Sequence, residues 1–140
     1  MSTHWMDIAR ATLDGAEAGT MSFSESVRLL KEAGFDGYAV DLRRPSRTYY
    51  LPSGEAIALE TAPPSTPVAE RFDPATVKAA IREAQAQVPG YTYKRFCAKV
   101  AGAGCAGYLV SFPGKRVLYF GRTGETHTEH FPGAQPAGTP

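Results

Sequence analysis

The sequence has almost no net charge, since 15 basic and 14 acidic side chains leave +1 at neutral pH. A dedicated nucleic-acid binder draws its affinity from a basic face that neutralises phosphates, so that class is not expected. No run approaches the ~20 apolar residues that a membrane span needs. The first residues carry neither the basic region nor the apolar core of a secretion signal. A cytoplasmic protein without a membrane partner is therefore expected. Cysteine is scarce, and Cys97 and Cys105 match no metal or redox spacing. Phosphate-binding glycine loops, dinucleotide fingerprints and nucleophile motifs are missing as well. No catalytic residue, cofactor or metal is assigned.

What is there is a stretch that occurs twice. Ala33-Gly34-Phe35-Asp36-Gly37-Tyr38-Ala39-Val40-Asp41-Leu42 returns as Ala103-Gly104-Cys105-Ala106-Gly107-Tyr108-Leu109-Val110-Ser111-Phe112, at a gap-free offset of 70 residues. The same offset pairs Tyr49-Tyr50 with Tyr119-Phe120 and Gly54-Glu55 with Gly124-Glu125. Eight identities fall between positions 33 and 55, where composition alone would give roughly one or two. The chain reads as a duplicated unit within one domain, residues 1–140. The units cover about 5–60 and 73–131, joined by a proline-rich linker at 61–72 and followed by a tail, 134–140, expected to be disordered.

Each unit reads helix, helix and a three-stranded meander. Trp5, Ile8, Ala9, Leu13 and Ala16 fall at near-helical spacing, and Ser22 or Ser24 is placed to cap a second helix ended by Gly34. Alternation from Gly37 to Leu42 predicts a half-buried strand, followed by strands at 47–51 and 55–59. In the second unit, Asp73-Pro74 opens a helix to about Gln87 and Thr92 to Ala101 forms the next. Strands are expected at 107–112, 116–120 and 126–131. The fold class is α+β: mostly antiparallel sheet, with pseudo-two-fold symmetry that buries the apolar faces of the two units against each other. One sheet, two sheets and a partly open barrel all fit the pattern.

Ala33-Gly34-Phe35 followed by Tyr38 and Val40, Tyr49-Tyr50 with Gly54, and Ala103-Gly104 leading to Tyr119-Phe120 and Gly124 carry a resemblance. Over about residues 5–131 the chain is similar to the YdfO-like proteins, a bacterial and prophage family often labelled "phage envelope protein". The resemblance implies an α+β domain and brings no established activity and no catalytic residues.

Candidate chemistry is sparse. His127, Glu129 and His130 are the one cluster of metal-ligand side chains, but strand alternation lets at most two converge, which is short of a tetrahedral site. A polar edge strand is the plainer reading. Glu55 and Glu125 occupy equivalent places and would form an acid/base pair only if the symmetry axis brought them together; otherwise each is a solvated residue after a turn. Tyr49-Tyr50 and Tyr119-Phe120 each put one ring on each side of the sheet, the inner one expected in the core; the alternative is an aromatic-lined cleft between the units, with Tyr49 and Tyr119 as its candidate binding residues. Arg43, Arg44 and Arg47, with Lys115, Arg116 and Arg122 opposite, could make a basic rim for an anion, although solvated turn positions explain them more simply. Cys97 and Cys105 replace Val27 and Phe35 of the first unit and are expected to be buried, reduced hydrophobes. The sequence points first to a small interaction or regulatory protein and second to a small-molecule binding module with its site between the repeats. An enzyme using Glu55, Glu125 or His127 comes third. The partner, whether a protein, a small molecule or a second copy of the chain, is left open.

Overall fold

The structure is a computed structural model that describes residues 3–131. The first unit contains α1 (Thr3–Ala18), α2 (Phe23–Ala33), β1 (Gly37–Asp41), β2 (Ser46–Tyr50) and β3 (Ala56–Glu60). The second contains α3 (Pro74–Ala86), α4 (Tyr93–Gly102), β4 (Cys105–Ser111), β5 (Arg116–Gly121) and β6 (Thr126–His130). The helices start where the sequence supplies caps. The Ser22 side chain accepts from the Glu25 backbone N–H while Glu25 reaches back to the Ser22 N–H, which satisfies two otherwise orphaned donors. Thr92 likewise accepts from the Arg95 backbone N–H at the start of α4, without a return bond from the Arg95 side chain, and Asp73 precedes Pro74 at the start of α3.

The six strands form one antiparallel sheet in the order β3-β2-β1-β4-β5-β6, with β1 and β4 as the seam between the units. Across that seam Tyr38 pairs with Val110 and Val40 with Tyr108. Leu42 N–H donates to the Ala106 carbonyl and Phe112 N–H to the Asp36 carbonyl, two bonds related by the repeat offset. The duplication proposed from sequence is therefore a structural two-fold. Its axis passes through the sheet near the centre of the seam, and both helix pairs lie on the same face.

Repeated glycines make this arrangement feasible. A Cβ on Gly37 would lie 2.3 Å from the Val110 carbonyl oxygen, and one on Gly107 would lie 2.4 Å from the Val40 oxygen. Only glycine lets the central strands approach this closely. Gly54 and Gly124 hold φ of +96° and +85° in the two β-turns, a left-handed conformation costly for other residues.

The core lies between this one sheet face and the helices. Register places Tyr38, Val40, Tyr49, Ile57, Leu59, Tyr108, Val110, Val117 and Tyr119 together on it, all buried. Tyr50, Leu109 and Phe120 point the other way; Tyr50 and Leu109 remain 40% and 41% exposed and Phe120 is half-buried. This division of each aromatic pair into an inner and an outer ring follows the alternation read from the sequence.

Two expectations need correction. The first strand of the second unit begins at Cys105 rather than Gly107, with a register shift between those residues. Gly121 stands where the first unit has Leu51, and Phe72 fills that space, reaching within 2.9 Å of where a Gly121 Cβ would be. Residues 61–72, although without helix or strand, are tied down. Ala69 N–H donates to Ala101, the N–H of the following Asp73 donates to Ala103, and Phe72 is buried. The tail expected at 134–140 lies outside the described residues.

Candidate functional site

Arg47 is the second correction. It sits on β2 opposite Val40 and Leu59, and is 3% exposed rather than solvated at a turn. Alternation with Tyr49 puts it on the helix-facing side, where its counterpart in the second unit is Val117. The fold thus places a guanidinium where the duplicated scaffold holds an aliphatic side chain.

Tyrosines surround this cation. Tyr93, in the first turn of α4, accepts a 2.8 Å hydrogen bond from Arg47 Nη2 and shares a 2.7 Å hydrogen bond with the Tyr108 hydroxyl. The guanidinium carbon lies 4.7 Å from the Tyr38 ring centroid and 5.3 Å from that of Tyr93. Such contacts contribute up to about 2 kcal/mol each when desolvated, whereas burying a cation costs several kcal/mol. No ion pair among the described residues includes Arg47, and its Nε is buried without a hydrogen-bond partner. The charge is only partly compensated.

Arg47 lines a cleft of about 760 Å³, well inside the roughly 300–1,000 Å³ range of ligand sites. Its floor is Tyr38, Tyr108 and Tyr119, and its walls are the α1–α2 and α3–α4 connections with the end of β6. Both units contribute, so the cleft straddles the pseudo-two-fold axis. At its rim Phe23 packs edge-on against Phe131, with centroids 5.5 Å apart. A further hollow between α3 and α4 holds only about 50 Å³. Interiors otherwise pack densely, so 760 Å³ is not a packing defect.

No protein-family model and no curated protein matches this chain. The chemistry therefore has to be read from the side chains alone.

Burial raises the Tyr38 phenol to about 12, against the lowering pull of Arg47. Desolvation likewise holds Tyr93, Tyr108 and Tyr119 above the ordinary tyrosine range. All four are neutral hydroxyls near pH 7, able to donate or accept hydrogen bonds and ill-suited to abstract protons. Beside one permanent cation they make a hydrogen-bonding pocket whose positive charge is local to Arg47, with Glu17, Glu25 and Glu129 elsewhere on the lining.

The other sequence candidates fall in different places. Tyr119 lies on the cleft floor, 5.2 Å from Tyr108 between ring centroids. Tyr49 is fully buried in the first unit against Phe35 and Tyr38, with Thr12 near its hydroxyl. His127 and Glu129 share a face, as alternation implies, and meet at 2.7 Å. Glu129 also takes a 2.7 Å ion pair from Arg82. Burial opposes ionisation of Glu129, but Arg82 and His127 outweigh it and hold the carboxyl below its usual range. No group of three His, Cys, Asp or Glu side chains able to hold a metal occurs among the described residues. Glu55 and Glu125 are exposed, bonded to Ser53 and Thr123 of their own turns. The antiparallel seam sends those turns to opposite ends of the sheet, so the two carboxylates do not pair. Cys97 and Cys105 are both free and buried.

Sequence reasoning missed Tyr93 and the burial of Arg47. A signal for both existed: Tyr93 aligns with Phe23 and Arg47 with Val117 at the repeat offset, so each polar group occupies an apolar template position.

Proposed function

We propose that this chain is a small-molecule binding module whose site is the cleft between its two repeats. The observation that carries the reading is a buried guanidinium, without a carboxylate partner among the described residues, on the wall of a 760 Å³ cleft. A buried, partly compensated charge costs stability, and a ligand in the cleft that faced it would recover part of that cost. The neutral phenols favour binding over turnover, since none is poised to move a proton near pH 7. A role as an interaction or regulatory protein fits the same molecule. The exposed Leu109 and Tyr50 lie on the sheet face away from the cleft, where a partner could respond to its occupancy. A YdfO-like family membership and a cytoplasmic location belong to this proposal and rest on the sequence.

The test is binding of a neutral fluorescent probe, N-phenyl-1-naphthylamine, whose emission rises in apolar clefts. Wild-type protein should bind it saturably. Val117→Trp, which projects a large ring into the cleft, should weaken binding at least tenfold while the far-UV circular dichroism is retained. Equal binding by the folded variant would place the probe elsewhere and remove support for the cleft.

A further inference from the structure

We infer that the cleft takes a flat, apolar monocarboxylate, with the carboxylate on Arg47 and the apolar body against the tyrosine floor. This rests on the cleft being a binding site and adds the class of ligand. Three features of the wall select it. The first is charge. Arg47 is the buried cation of the cleft, and the nearby Arg82 is engaged by Glu129. Glu17, Glu25 and Glu129 also line the cleft, so a single negative charge set against Arg47 is matched, whereas a dianionic phosphate would add repulsion.

The second is geometry. A guanidinium presents five N–H donors in a plane and pairs well with planar carboxylates. Arg47 spends Nη2 on Tyr93 and leaves Nε without a partner. When Arg47 donates to the Tyr93 oxygen, the Tyr93 proton can pass to the Tyr108 oxygen, 2.7 Å away. The Tyr108 hydroxyl proton is then free to donate. A carboxylate would meet a charged and a neutral donor together.

The third is shape. Tyr108 and Tyr119 lie nearly side by side, with an interplanar angle of 38°, and Phe96 stands edge-on to Tyr108 at 83°. Rings in this arrangement offer faces for a planar apolar body. The guanidinium is itself stacked rather than extended into solvent, which keeps it fixed for recognition instead of rearranging on binding.

Competition against bound N-phenyl-1-naphthylamine separates charge from shape, with 2-naphthoate, its neutral amide and 2-naphthyl phosphate as competitors. In wild-type protein the carboxylate should displace the probe at a concentration at least tenfold lower than the amide, and the phosphate should be weaker than the carboxylate. In Arg47→Met the ratio between carboxylate and amide should fall to about one, each measured in that variant. Tyr108→Phe, which keeps the ring, should reduce the ratio severalfold and guards against misfolding of the first variant. Equal displacement by carboxylate and amide would overturn the inference while leaving the cleft as a binding site. A phosphate tighter than the carboxylate would overturn the monoanion assignment. Absence of probe binding, with no thermal shift from 2-naphthoate, would overturn both the inference and the functional reading beneath it.

Discussion

Ala39 pairs directly with Leu109 across the seam of the sheet, and the two are separated by the repeat offset itself. A residue that faces its own duplicate marks a two-fold axis. The axis passes between these strands, and the cleft above it draws walls from both units. Sequence symmetry, sheet register and site position are thus aspects of one arrangement.

The seam sets the first prediction. Gly107→Ala forces a methyl onto the Val40 carbonyl oxygen, a backbone atom held by the sheet, and against the Phe120 ring. The expected loss is about 2–3 kcal/mol, as for overpacking of a tight core. Gly54→Ala meets nothing within 4 Å but keeps a positive φ, so it should cost only about 1 kcal/mol. Urea denaturation of both variants checks the order; a seam variant as stable as the turn variant would contradict the close approach.

The tyrosines come next. Tyr38 and Tyr108 are buried, at 3% and 5% exposure, and also border the cleft. Core and cleft are therefore not alternatives for these rings. Tyr108→Ala should cost ~2–4 kcal/mol through lost packing, and Tyr108→Phe about 1 kcal/mol through the lost hydroxyl contact with Tyr93. Near-wild-type melting of Tyr108→Ala would refute the packing assignment.

Cysteine reactivity is predicted to be low. Burial raises both thiols, Cys105 to about 11, and the thiolate is the reactive form. Labelling by a thiol reagent at pH 7.5 should be slow in native protein and fast in denaturant. Rapid native labelling of both residues would be inconsistent with their burial.

Glu129 should contribute a pH-dependent part of the stability. Its carboxyl is held below its unfolded value by Arg82 and His127, with burial opposing them. A depressed carboxylate stabilises fully above the unfolded value of about 4.3 and loses that contribution as pH falls through the lower folded value. The melting temperature of Glu129→Gln should therefore lie below wild type at pH 7, and the gap should narrow below about pH 4. A gap that stays constant through acid would show that the loss is steric.

Much of the local structure was legible because it is local. Ser22, Asp73 and Thr92 cap helices through bonds to residues three positions on, and Gly54 and Gly124 turn the chain over four residues. The alternation from Tyr38 to Leu42 assigned faces correctly, and the offset of 70 fixed the equivalence of the units. None of this required knowledge of distant parts of the chain.

Tertiary structure decided the remainder. Whether six strands make one sheet depends on β1 meeting β4, about 70 residues away, and the sequence pattern of each strand is the same in either case. The environment of Arg47 depends on Tyr93, 46 positions on, folding over it from another unit. An arginine near a turn is ordinarily solvated, and only closure of the helix layer removes water from it. The sequence by itself determined two copies of a helical and stranded unit, because those preferences act over a few residues. The single sheet, the cleft on its axis and the buried cation in its wall were decided by how the copies pack, because burial is a property of the surroundings a side chain meets.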